Sequence, residues 1–333
     1  MALSTLCLLL FLSLTDVING AGNCIDSSTV SVNVPISGGC TQGGYRQSVI
    51  DYWTPERMAS AKPMQRKITI KGNIPFVKNH KDNEIERILT PSTIQSNTRG
   101  AQNPPASGRV FFNYGNMSYS CSGSVVTANN TATVVTAGHC VYDNDTKQWA
   151  TNWIFVPDYN NGSAPYGIFT ARILITTPEW KNNANFSYDV ALAIMCPNNG
   201  THIQTKVGGG FTVSLNASQT GSTIVRGYPG NMNNAQTMSN CTGSTTKPGT
   251  ALLSPFSISG IKNYDGFEIY CTMGPGSSGG PWVRPFNSST SLGLQVSGTS
   301  FGIVFLGIQL PYLYGPRYQQ SNIGKLMDAC QSA

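Results

Sequence analysis

The 333-residue sequence is short of charge. Asp, Glu, Lys and Arg make up 11% of it, under half the roughly 25% usual in soluble domains. Asn, Ser, Thr and Gly fill the difference, which gives a polar but uncharged surface. Histidine is scarce, with three residues, and no Cys-x-x-Cys spacing occurs, so the common zinc patterns are missing and no metal is expected. The net charge of +6 is not gathered into a tract, since no basic run exceeds Arg66-Lys67. That excludes the electrostatic footprint of a nucleic-acid binder. Beyond the first twenty residues no apolar run is long enough to span a bilayer. Helical periodicity is nearly absent, and no repeat of solenoid length is present.

What is there is a turn-rich globular chain: 40% apolar residues, 35 Gly and 19 Pro. Leu6 to Leu14 is almost wholly apolar, too short to span a membrane, and small and polar residues follow it. It reads as a secretory signal peptide, residues 1–20, cut after Gly20 with Ile18 and Gly20 at the small-residue positions; Ala21 and Gly22 are rival sites. The mature protein is then secreted or extracellular, or held in the lumen of the secretory pathway or a lysosome-like compartment. Of nine cysteines Cys7 leaves with the signal. The remaining eight, Cys24, Cys40, Cys121, Cys140, Cys196, Cys241, Cys271 and Cys330, form an even set that an oxidising compartment would join as four disulfides. Counting alone does not give their pairing.

Nine sequons mark candidate glycosylation sites at Asn116, Asn129, Asn144, Asn161, Asn185, Asn199, Asn216, Asn240 and Asn287. None lies between residues 21 and 115. The charges show the same border, because residues 21–100 hold ten Lys and Arg with six Asp and Glu, a density far above the rest. This stretch has a helix predicted over Thr54–Ala61, with Pro55 in its first turn. It ends in the linker-like Ser-Asn-Thr-Arg-Gly-Ala-Gln-Asn-Pro-Pro. We read residues 21–100 as a pro-region (a folding aid or a cleft cover) or a small N-terminal appendage, and expect processing between Arg87 and Arg109, nearest Arg99-Gly100. Arg87-Ile88 is the competing cut.

From residue 105 the chain turns to short strands between Gly, Asn and Pro turns. They are expected at Arg109–Tyr114, Gly123–Thr127, Thr133–Thr136, Trp153–Pro157, Gly167–Thr176, Val190–Met195, Thr223–Tyr228, Phe267–Cys271, Gly280–Val283 and Gly302–Leu306. Strands at this spacing predict an all-β barrel or sandwich, with only the C-terminal end helical.

Three short segments carry chemistry. An apolar strand ends in Thr136-Ala137-Gly138-His139-Cys140, which lifts an imidazole to a barrel rim. In Ser187-Tyr188-Asp189-Val190-Ala191-Leu192 an acid stands at the mouth of an apolar strand. In Gly274-Pro275-Gly276-Ser277-Ser278-Gly279-Gly280-Pro281, glycines around a serine allow successive N–H groups to face one small space, an arrangement that stabilises an oxyanion. Each alone has a plainer reading: a structural histidine, a turn aspartate, a Gly/Ser loop. Together they occur in the order His, Asp, Ser, 50 and 89 residues apart, and here residues 105–315 resemble the secreted chymotrypsin-like (trypsin-like) serine peptidases. The likeness is greatest to the microbial, glutamyl-endopeptidase-like branch, in which Gly227-Tyr228-Pro229-Gly230 also has a counterpart. Tyr52-Trp53-Thr54-Pro55-Glu56-Arg57-Met58 is similar to part of such enzymes' pro-regions.

The resemblance implies two six-stranded antiparallel β-barrels, a first of about residues 105–200 and a second of about 201–315, within a peptidase domain of 101–333. It adds a C-terminal helix of about 318–331. It implies a secreted serine endopeptidase that hydrolyses peptide bonds without a cofactor, made as a zymogen, monomeric, acting on proteins or peptides. Ser278 would be the nucleophile, His139 the general base and Asp189 its orienting acid, with the N–H groups of Gly276 and Ser278 as oxyanion hole. Thr272, Ser297 and Gly298 would lie at the substrate pocket. Cys121 would pair with Cys140 and Cys241 with Cys271; Cys24–Cys40 would close a loop within the pro-region, leaving Cys196 for Cys330.

Three positions depart from the pattern. Ser277 stands where animal enzymes have an aspartate that pairs with a new N-terminal amine. Thr272 stands where a tryptic enzyme has an acid. The Leu294–Gly298 strand has no histidine of the glutamyl-specific kind. A non-catalytic homologue that binds through the cleft and a structural glycoprotein are the rival readings. Retention of all three residues and both glycines weighs against them.

Overall fold

The computed structural model describes residues 24, 28–33, 40, 44–70, 94–96, 105–248, 264–287, 289–290, 292–305, 308–331 and 333. The expected signal peptide, His80, and the processing candidates Arg87 and Arg99-Gly100 lie outside the described residues. The N-terminal part supplies strand β1 (Val30–Asn33), helices α1 (Tyr45–Tyr52) and α2 (Pro55–Ser60), and strands β2 (Lys62–Pro63), β3 (Arg66–Ile70) and β4 (Ile94–Ser96). The predicted Thr54–Ala61 helix is α2 with its two caps: Pro55 opens it, and the Thr54 hydroxyl accepts from the Arg57 N–H.

The first half contains β5 (Ser107–Tyr114), β6 (Met117–Val125), β7 (Thr133–Thr136), the hairpin β8 (Tyr142–Asp143) and β9 (Gln148–Trp149), then β10 (Thr151–Pro157), β11 (Phe169–Thr176) and β12 (Ala191–Met195). Pairing runs β10-β5-β6-β7-β12-β11, and β11 pairs back to β10, so six antiparallel strands close a barrel without an edge. Its interior holds Val110, Phe112, Val134, Phe155, Leu174 and Ala193. All eight residues of β5 are buried. Val110 and Phe112 face the interior, while Phe111 faces outward into a second cluster with Ile154, Val156, Tyr159 and Tyr228. Val49, Trp53, Met58 and Ala61 of the N-terminal part cover that outer face. Each large side chain so covered contributes about 1.5–3 kcal/mol of apolar burial.

The second half contains β13 (Thr212–Val213), β14 (Gly221–Gly227), β15 (Ser239–Thr245), β16 (Gly266–Tyr270), β17 (Pro281–Asn287), β18 (Leu292–Gly298), β19 (Phe301–Phe305) and β20 (Ile308–Pro316). One sheet runs β13-β18-β17-β14-β15-β4 and the other β16-β20-β19-β3. A bridge between Thr246 and Glu268 joins them on one side, and Tyr318 N–H donates to the Val296 carbonyl on the other. Between them lie Val225, Phe267, Ile269, Trp282, Val296 and Leu313. The expected all-β, barrel-based architecture is therefore what forms. The helical C-terminus is a π-turn, Gln320–Gly324, running into a short Lys325–Ala329 helix. No helix among the described residues is long and apolar enough to cross a membrane.

Four disulfides form, but two are not the expected pairs. Cys121–Cys140 and Cys241–Cys271 are joined as expected, whereas Cys24 bonds Cys330 and Cys40 bonds Cys196. The reason is β1, which adds antiparallel to β11 with Val30 opposite Thr176. The chain on either side of it is thereby carried to the C-terminal helix and to the end of β12. Cys24–Cys40 assumed a self-contained N-terminal segment. Instead residues 24–70 are tied to the barrels by two disulfides, by β1, and by β2 and β3, which pair with β6 and β19.

Candidate active site

His139 sits in a 3-10 turn, Gly138–Cys140, directly after β7. A Cβ on Gly138 would stand 2.7 Å from Trp180 Cδ1, so only glycine lets the turn seat against that indole. Asp189 follows the Phe186–Tyr188 turn at the entry to β12; the Asn185 side chain accepts from the Ser187 N–H and fixes that turn. Because β7 and β12 are paired neighbours, with Thr136 opposite Ala191, the two loop ends meet. Asp189 Oδ2 lies 2.8 Å from His139 Nδ1, and Oδ1 accepts the His139 backbone N–H at 2.8 Å. Both side chains are fully buried.

Ser300 was not singled out in the sequence. It donates its hydroxyl to Asp189 Oδ2 at 2.5 Å. A lone serine between two strands carries no local signal. Tyr114 is a second unforeseen partner, its hydroxyl donating to the His139 carbonyl at 3.0 Å.

Ser278 is in the tight turn before β17. Gly276 has φ of 95° and a Cβ there would collide with the Tyr228 carbonyl, which explains the glycine. Ser277 donates its hydroxyl to the Gly274 carbonyl and so braces the turn from inside. Ser122 ties the turn to the first barrel: its N–H donates to the Ser278 carbonyl at 2.7 Å and its hydroxyl to the Gly276 carbonyl at 2.8 Å. Gly279 packs without spare room against Thr136 and Ala137, just before His139. The serine turn and the histidine turn are therefore adjacent. His139 Nε2 is buried with no hydrogen-bond partner among the described residues, and the Ser278 hydroxyl donates to the Met64 carbonyl at 3.2 Å.

The expected pocket residues are placed less simply. The Thr272 carbonyl accepts from Asn231 Nδ2 in the loop before Ser278. Ser297 and Gly298 end β18 and are buried; Ser297 gives its hydroxyl to the Pro316 carbonyl, inside the second half. Strand β19 begins three residues later and pairs in parallel with β3. His202 precedes the short Ile203–Lys206 helix.

Charge near the site centres on Arg66. It bonds Asp143 at 2.7 Å and Asp145 at 2.5 Å. Burial alone would lower the Arg66 pKa, but the bond and charge of Asp145, with Asp143 and Asp189, carry it above its ordinary value. Burial opposes ionisation of Asp143, yet bonds from Thr146 and the Asp145 N–H, with the Arg66 charge, hold its carboxyl below the usual range. Cys121, His139 and Cys140 are the one group among the described residues clustered as metal ligands would be. Both sulfurs are consumed by their mutual disulfide and Nδ1 faces Asp189, so that donor set does not suit a metal. Of the sequons, Asn144 is buried and spends Nδ2 on the Trp180 and Lys181 carbonyls, so a glycan there would displace both bonds. Asn240 is likewise buried, in β15.

Comparison with known proteins adds a family. The family model described as Trypsin matches residues 96–309. The thermostable serine protease AL20 from an extremophilic microorganism is 32% identical with a TM-score of 0.58, over 68% of this chain and 98% of that one. Protease Anisep from Arthrobacter nicotinovorans is 36% identical with a TM-score of 0.59, over 68% of this chain and 96% of that one. A Glu endopeptidase solved with MPD shares the fold, at 18% identity and a TM-score of 0.54, over 72% of this chain and 96% of that one. Among curated proteins, an extracellular metalloprotease of Bacillus subtilis (strain 168) is 33% identical over 112 residues, 33% of this chain and 34% of that protein. The chain thus matches about a third of that relative's length.

Proposed function

The chain belongs to the trypsin family, and from that premise we propose that it is a serine endopeptidase working through Ser278, His139 and Asp189. One observation carries the reading: Asp189 grips His139 at both its ring and its backbone, 2.8 Å each. That grip fixes the tautomer with hydrogen on Nδ1 and leaves Nε2 free to take a proton.

In the reaction Ser278 Oγ adds to the scissile carbonyl carbon while its proton passes to Nε2. The imidazolium is stabilised by the Asp189 carboxylate, which keeps its own charge. Negative charge on the former carbonyl oxygen is met by the N–H groups of Gly276 and Ser278. Collapse expels the amine with the proton from Nε2 and leaves an acyl-enzyme, which water then resolves to a carboxylate. No step draws on a cofactor. Thr272 in place of an acid gives no ground for Arg or Lys preference. Four disulfides support an oxidising compartment, and so a secreted protein that can carry glycans at its exposed sequons.

The test is labelling with a fluorophosphonate. An enzyme takes up one equivalent at Ser278 and none in Ser278→Ala. A non-catalytic homologue, which would bind a partner through the same cleft, takes up none in either.

A further inference from the structure

A segment of the chain itself occupies the candidate active-site cleft. After α2, Lys62 and Pro63 pair with Tyr119 and Ser120 of β6 in parallel, and Met64 N–H donates to the Ser120 carbonyl at 2.8 Å. The Met64 carbonyl oxygen then accepts from the Gly276 N–H at 2.7 Å and from the Ser278 hydroxyl at 3.2 Å. Arg66 to Ile70 next pair in parallel with Phe301 to Phe305 along β19. The run from Lys62 to Ile70 therefore crosses both barrels and covers the nucleophile between them.

Side chains fasten it. Arg66 holds Asp143 and Asp145, and Ile68 is buried in a cluster with Trp180, Phe186, Phe301, Ile303 and Tyr314. The contact at the nucleophile is unreactive. To attack, Ser278 must give its hydrogen to His139 Nε2; here it gives it to Met64 and Nε2 is left without a partner. One feature opposes docking. Both polar atoms of the Gln65 amide are buried without a hydrogen bond, and an amide so placed gains by returning to water.

We propose that Lys62–Ile70 is an inhibitory strap, and that a cut downstream of Ile70 releases it while the preceding residues stay on the enzyme as a disulfide-linked light chain. The idea rests on the serine-peptidase reading above. The strap is held at both ends in the uncut chain: α2 anchors it upstream, and downstream the chain rejoins the second half at β4, which pairs with β15. A break between them frees one end. The other end remains, because Cys24–Cys330, Cys40–Cys196 and the packing of Trp53, Met58 and Ala61 on the outer face of β5 and β10 do not depend on the strap.

The experiment inserts a recognition sequence for a site-specific protease after Asn79 in the full chain and compares uncut with cut protein, without reductant. Cutting should raise the rate of fluorophosphonate labelling at Ser278 by more than about tenfold, since that rate scales with the open fraction. The N-terminal fragment should stay attached until reductant is added. Ile68→Glu, which places a charge in the aromatic cluster, should raise labelling of the uncut chain. Amide exchange of Lys67–Ile70 in the Ser278→Ala background gives a readout independent of chemistry: slow before the cut and fast after it. Equal labelling of uncut and cut wild type overturns the strap, as do unchanged exchange and cleavage of the uncut chain at Met64-Gln65. If neither form labels but exchange speeds up on cutting, the strap stands and the peptidase reading falls.

Discussion

Ser300 and Asp189, 111 residues apart, are joined by a hydrogen bond of 2.5 Å from the serine hydroxyl to Oδ2. Oδ2 is the oxygen that also faces His139 Nδ1. Asp189, at the entry to β12, thus has its charge shared between an imidazole of its own barrel and a hydroxyl from the second half. This relationship sets the first expectation. Ser300→Ala removes one donor from a buried carboxylate, and a bond to a charged group contributes about 1.5–3 kcal/mol. Peptide hydrolysis should fall roughly tenfold or more in kcat with little change in KM, and steady-state kinetics would show it. Unchanged kcat would make Ser300 a packing residue only.

Ser278→Ala and His139→Ala should each remove hydrolysis almost entirely, and the double variant should be no worse, because the residues act as a unit. Ser278→Ala should lower the melting temperature only slightly, since the lost hydroxyl makes a single hydrogen bond, to the Met64 carbonyl. Normal turnover by either variant contradicts the mechanism.

The disulfide pairs can be read directly. Non-reducing peptide mapping should recover Cys24 with Cys330 and Cys40 with Cys196. Replacing Cys24 and Cys330 together by serine should cost about 2–5 kcal/mol in chemical denaturation. Recovery of a Cys24–Cys40 peptide would restore the separate pro-region.

Acid should act through Asp143. Its folded pKa lies below the ordinary value, so its contribution is present above the unfolded pKa of about 4 and is lost as pH falls through the folded one. Asp143→Asn should therefore lower the melting temperature near neutral pH and narrow its gap to the wild type at about pH 2. The effect is small because the carboxyl is partly hydrated. A gap that widens in acid would show the sign to be wrong.

Trp53→Ala tests the N-terminal cover. The indole is buried against Phe111 and donates to the Asn152 carbonyl at 2.6 Å. Truncation should cost about 3–5 kcal/mol. A loss under about 1 kcal/mol would mean that the helices are only loosely attached.

The His139, Asp189 and Ser278 segments were legible because each is a local pattern at the end of an apolar strand. The pairing of Cys24 and Cys40 was not, because it follows from β1 joining β11, and four residues of β1 say nothing of their neighbour. Strand β15, Ser-Asn-Cys-Thr-Gly-Ser-Thr, was missed because Cys241 is its only apolar residue, too little for an alternating pattern. Strand β20 was missed because Pro311 reads as a break, yet the strand runs through it and ends at Pro316. The α1 helix lacked a signal as well: its cap, Gly44, offers no side-chain oxygen.

The cover over β5 and β10 also bears on how a sample is prepared. Arg109, stacked on Phe111 and Tyr159, has its pKa lowered to about 10 by burial under that cover. A recombinant chain begun at residue 101, as the charge border would recommend, would bring this guanidinium and the aromatic rings around it into solvent. It would also leave Cys196 and Cys330 as thiols able to bond between molecules. Such material should come out of the cell sticky and cross-linked, whereas one begun ahead of Cys24 should elute as a single sharp peak.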